Sequence, residues 1–194
     1  MLKSLYLTLG LLTAVAQATW PHAVSAAQAS TDLALGGPFA LTTQKGTRLS
    51  DADLRGKPYA LFFGFTHCPE VCPTTLFELA GAVAEIGPAA DGLNVVFVTV
   101  DPERDTAEYL ASYLGTFDQR FIGLRGTPDE IATVARAFKA TYRKVPLEGD
   151  DYTMDHTAIV YLMDAEGRYV DRIEYLAPHE VQVEKLKRLL GAGK

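Results

Sequence analysis

Two apolar runs dominate the hydrophobic pattern of this chain. They lie at 59–65 (YALFFGF) and 94–100 (NVVFVTV). Strands that are buried on both faces read as nearly continuous apolar runs, whereas half-exposed strands alternate between apolar and polar residues. The pattern therefore predicts two central strands.

Two pairs of shorter segments predict β-hairpins beside these strands. The first pair is 39–43 and 47–49, with Gly46 in the turn between them. The second pair is 157–163 and 168–173, joined by a short turn. Apolar, β-branched and aromatic residues on both sides of a turn that contains glycine are typical of hairpins.

Apolar residues at helical spacing predict α-helices between the strands. The first long helix is expected over 73–86, where Gly87 and Pro88 follow as stop signals. Its apolar face comprises Leu76, Leu79, Val83 and Ile86. The last helix is expected to bury Val183, Leu186 and Leu190.

Three capping sequences predict further helix starts. Each places a short polar residue three positions before an acidic one: Ser50 with Asp53, Asp105 with Glu108, and Thr127 with Glu130. The resulting order, βαβα and then ββα, predicts an α/β domain with a central mixed sheet. It is typical of a thioredoxin-like three-layer fold with an added N-terminal β-hairpin, formed by one domain over 30–194.

Residues 1–29 are predicted to be a targeting segment. Lys3 precedes an apolar stretch at 5–16, and small-residue cleavage sites follow at 16–18 and 27–29. The stretch is shorter than the roughly 20 residues that span a bilayer, which favours a cleaved signal peptide over a retained N-terminal anchor. Either arrangement places the domain in the periplasm or another extracytoplasmic compartment.

Composition narrows the function classes only slightly. The chain carries 18 basic and 24 acidic residues, for a net charge of −6. Nucleic-acid binding is excluded, because it requires a basic surface that neutralises phosphates. A monomer is expected, since the pattern shows no exposed heptad repeat or long apolar patch.

The two cysteines of the chain are the main candidates for chemistry. Cys68 and Cys72 lie four residues apart, between a predicted strand and a predicted helix. Pro73 suits the first turn of a helix, so Cys72 is expected at or beside the N-cap, where unpaired N–H groups lower the pKa of a thiol. The pair is close enough for a disulfide or a shared metal ion. A disulfide across so short a loop adds little stability, which favours a chemical role.

A third metal ligand is sought among the four histidines. His22 lies in the predicted leader, and His179 opens the last helix, where a capping or surface role is expected. His67 is next to Cys68, but neighbours in an extended segment point to opposite faces. His156 directly precedes an apolar strand, and the pattern alone leaves it as either a ligand or a structural histidine.

Three motifs, in this order, resemble the signature of the Sco/SenC family of copper chaperones. They are 64–76 (GFTHCPEVCPTTL), 100–106 (VDPERDT) and 155–158 (DHTA). The likeness spans roughly residues 37–190. Because the motifs occur together and in the family's order, the resemblance is specific.

The resemblance implies a thioredoxin-like fold in which Cys68, Cys72 and His156 bind copper. It implies that the copper is used to assemble the dinuclear copper centre of cytochrome c oxidase, with subunit II of the oxidase as partner. A periplasmic copper donor and a thioredoxin-like reductant are further partners of this kind of protein. Two thiolates and one imidazole suit Cu(I), and Cu(II) would require a fourth donor.

Residues around His156 carry weaker expectations. Asp155 is expected either to accept a hydrogen bond from the imidazole or to cap the loop. Met154 is expected to pack in the core rather than to bind metal. The acidic residues of 148–151 are expected in a solvated loop near His156, where they would favour a basic partner.

The main alternative function is a thiol–disulfide oxidoreductase. One of Cys68 and Cys72 would attack a partner disulfide and the other would resolve the mixed disulfide. The spacing is one residue longer than the Cys-x-x-Cys of thioredoxins. A thiol peroxidase is disfavoured because Phe65 and Pro69, three residues before each cysteine, replace the threonine of that pattern. A structural zinc site would need a fourth ligand that is not evident.

Overall fold

The computed structural model describes residues 35–191, so the predicted leader at 1–29 lies outside the described residues. This part of the chain forms nine strands and five α-helices. The strands are β1 (Ala40–Thr43), β2 (Arg48–Ser50), β3 (Tyr59–Gly64), β4 (Asn94–Thr99), β5 (Ile122–Arg125), β6 (Tyr142–Pro146), β7 (Tyr152–His156), β8 (Ile159–Met163) and β9 (Tyr169–Glu174). The helices are α1 (Asp51–Leu54), α2 (Val71–Ile86), α3 (Ala107–Gly115), α4 (Pro128–Ala137) and α5 (His179–Gly191). None of the helices in this part combines the length and the apolar character that a membrane span requires.

Seven strands form a central mixed sheet in the order β2-β1-β5-β4-β3-β8-β9. The neighbours β3, β4 and β5 run parallel, and the other pairs in the sheet are antiparallel. The two predicted central strands are β3 and β4, and all six residues of β3 are buried. The expected α/β fold with a central mixed sheet and an added N-terminal hairpin is confirmed.

Helices cover both faces of this sheet. Phe62 and Phe63 are neighbours in β3, so their side chains point to opposite faces. The Phe62 ring contacts Phe97, which in turn contacts Tyr113 of α3. The Phe63 ring contacts Phe138, the residue that follows α4. The sheet therefore forms the middle of three layers.

The helices follow the predicted patterns with two corrections. The helix predicted from residue 73 begins at Val71, because the N–H of Thr74 already bonds to the carbonyl of Glu70 and closes a first turn around Pro73. In α5 the residue buried after Leu186 is Leu189, whereas Leu190 is only partly buried. The next leucine of α5 that packs in the core after Leu186 is thus three positions later, rather than the predicted four.

The capping box predicted at Asp105 and Glu108 is wrong. The helix α3 begins one residue later, with Thr106 as N-cap, and the hydroxyl of Thr106 accepts a hydrogen bond from the backbone N–H of Tyr109. Asp105 is fully buried and accepts hydrogen bonds from the loop that carries Cys68. Asp105 therefore serves as a buried hydrogen-bond acceptor rather than as the N-cap of α3.

A second, two-stranded sheet formed by β6 and β7 was not predicted, nor was β5. The register pairs Tyr142 with His156 at one end of this hairpin and Pro146 with Tyr152 at the other. The acidic residues of 148–151 lie in the turn between β6 and β7, next to the pair of Pro146 and Tyr152. The expectation that they lie near His156 is therefore wrong, because a strand of five residues separates the two ends.

Candidate metal centre

The end of β3 and the start of α2 bring the two cysteines together. After β3 the chain makes a turn in which the N–H of Cys68 bonds to the carbonyl of Phe65. Four residues later, the backbone N–H of Cys72 in the first turn of α2 points at Cys68 Sγ, at 3.4 Å. Both cysteines are free thiols. The start of α2 thus supplies the backbone N–H that donates to Cys68 Sγ, and it also carries the Cys72 side chain with the second sulfur.

His156 reaches this pair from a different part of the chain. It is the last residue of β7, and its Nε2 lies 3.5 Å from Cys72 Sγ. The donor atoms of Cys68, Cys72 and His156 all lie within 4.8 Å of one another. The residues singled out from the sequence are therefore brought together, although His156 lies 88 positions after Cys68 in the chain.

Burial differs across the three donors. Cys72 is fully buried, whereas Cys68 and His156 are each partly exposed. The rings of Phe62 and Phe65 meet the imidazole of His156 edge-on, with centroids 6.0 and 5.8 Å from it. One side of the cluster is therefore an apolar wall, and the Cys68 side is open to solvent.

A backbone carbonyl fixes the tautomer of His156. Its Nδ1 lies 3.1 Å from the carbonyl oxygen of Thr157, so Nδ1–H donates there. This leaves the Nε2 lone pair of the neutral ring directed towards the sulfur atoms. The alternative of Asp155 as the imidazole acceptor is wrong, because Asp155 instead pairs with Arg143 at 2.9 Å.

The two thiols are unequal, and the assignment of the thiolate to Cys72 is wrong. The hydrogen bond from the Cys72 thiol is the main cause that lowers the pKa of Cys68, to about 4 despite partial burial, and the interactions with His156 and with the backbone N–H groups of Cys72 and Glu70 act in the same direction. Burial, followed by the adjacent Cys68, raises the pKa of Cys72 well above its usual range. The start of α2 therefore stabilises the thiolate of Cys68, in the preceding loop, rather than the thiolate of Cys72, in the helix itself.

A buried carboxylate anchors the loop before Cys68. Asp105 accepts hydrogen bonds from the backbone N–H of Thr66 at 3.1 Å and from the hydroxyls of Thr66 and Thr99, each at 2.5 Å. The side chain of Asp105 is fully buried. Sequence reasoning missed this contact, since nothing in the spacing links Asp105 to a residue 39 positions earlier.

A glycine makes room for Cys72 against the sheet. A Cβ atom on Gly64, the last residue of β3, would lie 2.6 Å from Phe97 Cε2 and 2.9 Å from Cys72 Sγ. Real Cβ atoms do not approach other atoms so closely. Gly64 therefore permits the close packing of α2 that buries the Cys72 sulfur.

The other histidines and Met154 lie outside this cluster. His67 stacks on Tyr109, with ring centroids 5.3 Å apart, and the prediction that it points away from Cys68 agrees with this arrangement. His179 Nε2 pairs with Glu85 at 2.9 Å, as a surface role predicts. Met154 is buried in the core, as predicted. His22 lies outside the described residues.

The cluster offers two chemistries. Two sulfurs and one imidazole nitrogen form a three-donor set that suits a soft ion, and Cu(I) is the common ion that this set satisfies without a fourth ligand. Alternatively, the sulfurs of Cys68 and Cys72 are close enough to form a disulfide reversibly. The position of His156 matters for the first chemistry and is not required by the second.

Comparison with known proteins identifies relatives of this chain. A family model described as SCO1/SenC matches residues 27–191. The human protein named "Protein SCO1 homolog, mitochondrial" is 44% identical over 140 residues, which are 71% of this chain and 46% of that protein. This chain thus spans about half the length of that curated relative.

Two solved structures resemble the fold closely. Bradyrhizobium japonicum ScoI with copper bound is 47% identical, with a TM-score of 0.75, and the match covers 80% of this chain and 99% of that one. Arabidopsis thaliana ScoI with copper bound is 37% identical, with a TM-score of 0.77, and the match covers 82% and 99% of the two chains. The thioredoxin-like fold inferred from the sequence agrees with these neighbours.

Proposed function

Because this chain belongs to the SCO1/SenC family, we propose that it is an extracytoplasmic copper metallochaperone. Copper is its cargo, held by Cys68, Cys72 and His156. The observation that carries the proposal is the convergence of these three donor atoms within 4.8 Å of one another. Relatives at 47% and 37% identity have been solved with copper bound, which supports copper as the ion.

The donor geometry suits transfer as well as binding. Three donors satisfy Cu(I), and the partly exposed Cys68 side leaves room for a ligand from an acceptor protein to approach the ion. Exchange of ligands on that side would pass the ion on without leaving it uncoordinated. The acceptor proposed from the family resemblance is subunit II of cytochrome c oxidase, at its dinuclear copper centre. A periplasmic copper donor would load the site.

Titration with Cu(I) tests this proposal. The reduced protein is expected to bind one Cu(I), and His156→Ala is expected to weaken binding by at least tenfold because one of three donors is lost. His179→Ala is the matched control, since it removes a histidine that pairs with Glu85 away from the cluster. Equal affinity in the His156→Ala variant and the unmodified protein would contradict the ligand assignment.

A thiol–disulfide oxidoreductase is the second candidate, favoured by the inequality of the two thiols. The partly exposed Cys68 has the lowered pKa, so its thiolate would attack a partner disulfide and release one partner thiolate. Cys72, after losing its proton, would then attack Cys68 Sγ and release the second partner thiol. The products are a reduced partner and a Cys68–Cys72 disulfide.

The same His156→Ala variant separates the two functions. The oxidoreductase does not use the imidazole as a ligand, so disulfide reduction is expected to persist in this variant while copper binding falls. Reduction of a model disulfide is followed by the release of its thiol. If reduction and copper binding fell together, His156 would serve both chemistries.

A further inference from the structure

The hairpin that carries His156 is held to the rest of the domain by side-chain contacts as well as by the chain at its two ends. In the described part of the chain, β6 and β7 pair with each other and not with the central sheet. The copper-binding geometry proposed above therefore depends on contacts that fix this hairpin against the loop after β4. One connected group of such contacts is formed by Asp101, Arg104 and Tyr152.

These three residues form a closed set of contacts. Arg104 Nε donates to Asp101 Oδ2, and Arg104 Nη1 donates to the backbone carbonyl of Tyr152 at 2.9 Å. The Tyr152 hydroxyl donates to the other carboxylate oxygen of Asp101 at 2.8 Å. Asp101 is almost fully buried, with 2% of its side chain exposed. One carboxylate and one guanidinium thus hold both the backbone and the side chain of Tyr152, at the start of β7.

Ring contacts extend this set to His156. The guanidinium carbon of Arg104 lies 3.7 Å from the centroid of the Tyr152 ring and 6.0 Å from that of Phe65. The Phe65 ring in turn meets the His156 imidazole edge-on. Among the described residues, Arg104 Nη2 is one of two buried side-chain polar atoms without a hydrogen-bond partner. The guanidinium of Arg104 therefore contacts two aromatic rings in addition to the hydrogen bonds that it donates.

From this arrangement we propose that Arg104 is a positioning residue for the metal centre. It does not contact the ion. It fixes the first residue of β7 and the ring of Phe65, and both determine where the Nε2 of His156 lies relative to the two sulfurs. This inference rests on the proposed copper-binding function and adds a residue to it.

Two substitutions measure the contribution of Arg104. Arg104→Met removes the positive charge and the planar guanidinium group. It is expected to lower the Cu(I) affinity by about tenfold, which is the low end of the effect of residues that orient metal ligands. Arg104→Lys keeps the charge but loses the paired donors and the stacking plane, so a smaller loss is expected. Arg143→Met is the matched control, because Arg143 lies on the same hairpin but pairs with Asp155 at the exposed surface.

A double-mutant cycle with His156→Ala decides whether Arg104 acts through the imidazole. Affinity is measured by competition with a chromophoric Cu(I) chelator, and circular dichroism checks the fold of each variant. If Arg104 positions His156, Arg104→Met should change the affinity by no more than about twofold in the His156→Ala background. If Arg104→Met does not fold, Tyr152→Phe, which removes the hydroxyl that donates to Asp101, replaces it in the double-mutant cycle.

Three outcomes would overturn the inference. They are an unchanged affinity in Arg104→Met, an equal loss in both backgrounds, and a comparable loss in Arg143→Met. In all three the unmodified protein still binds copper, so the proposed function would stand. An unmodified protein that binds no Cu(I) would overturn the proposed function and this inference together.

Discussion

At the scale of single residues, the site depends on the inequality of two cysteines in one loop. Cys72 is buried against Gly64, while Cys68 faces solvent and accepts hydrogen bonds from Cys72. Two sulfurs this close are not expected to ionise together, because the second negative charge is repelled by the first. The proton is therefore expected on the buried sulfur of Cys72, and the partly exposed sulfur of Cys68 is expected to be the thiolate.

This inequality predicts how copper binding depends on pH. Cys68 is already deprotonated at neutral pH because its pKa is lowered, whereas Cys72 must lose its proton to bind the ion because its pKa is raised. Binding should therefore release about one proton, and the logarithm of the apparent association constant should rise by about one for each pH unit between about pH 7.5 and 8.5, above the range in which an ordinary imidazole binds a proton. A slope of about two would mean that both thiols are protonated in the free protein.

Alkylation of the metal-free protein provides a second test of the same inequality. The thiolate is the reactive form, so Cys68 should react with iodoacetamide at pH 5, where an ordinary thiol is almost unreactive. Peptide mapping by mass spectrometry identifies the modified cysteine. Preferential labelling of Cys72 at this pH would show that the thiolate is assigned to the wrong sulfur.

At the scale of elements, the packing of α2 on β3 depends on Gly64. Gly64→Ala should destabilise the protein by about 1–3 kcal/mol, because the added methyl group overlaps Phe97 and Cys72 Sγ and the core is already filled. Urea denaturation measures the change. Gly115→Ala in α3 is the control, since its Cβ would meet no atom within 4 Å and alanine is favoured in helices. Equal stability of the two variants would contradict this explanation.

The loop between β3 and α2 depends in the same way on Asp105. Asp105→Asn should cost about 1–3 kcal/mol in the free energy of unfolding, because the amide nitrogen would replace an acceptor that Thr66 and Thr99 need. Glu103→Gln, two residues away, removes only an exposed pair with Lys144 and should cost less than about 1 kcal/mol. A loss in Asp105→Asn no larger than in Glu103→Gln would show that the buried contacts contribute little.

Sequence patterns predicted the elements that have a clear local apolar pattern or turn and missed those stabilised by distant contacts. The apolar runs of β3 and β4 were sufficient to identify them. In contrast, β5 is short and carries Gly123, where a Cβ would lie 2.7 Å from Leu114, so its glycine reflects packing against α3. The strand β6 has no fully buried residue and carries two adjacent charged residues, so its pairing with β7 depends on tertiary contacts that the local pattern does not contain.

The same limit applies to the site. Cys68 and Cys72 could be identified from spacing and position alone, whereas His156 required the family resemblance. The roles of Asp105 and Arg104 could not be predicted, because each depends on partners 39 or more positions away. Local sequence therefore identified the two cysteines and the family resemblance added His156, but the residues that orient these donors became visible only in three dimensions.

At the scale of the whole molecule, copper should join the hairpin of β6 and β7 to the central domain. An ion that binds only the folded protein stabilises it, by about 4 kcal/mol at a free concentration of 1,000 times Kd. For a domain of this size, that corresponds to a rise in Tm of about 8–16 °C. Calorimetry should show this rise for the unmodified protein and none for Cys68→Ser/Cys72→Ser. A rise in both proteins would place the copper elsewhere.

X-ray absorption spectroscopy of the reduced protein loaded with one equivalent of Cu(I) tests the central claim most directly. The predicted coordination is two sulfur atoms and one nitrogen, from Cys68, Cys72 and His156, with the nitrogen lost in His156→Ala. Coordination by sulfur alone in the unmodified protein, or the same nitrogen signal in His156→Ala, would contradict the assignment of His156 as the third ligand.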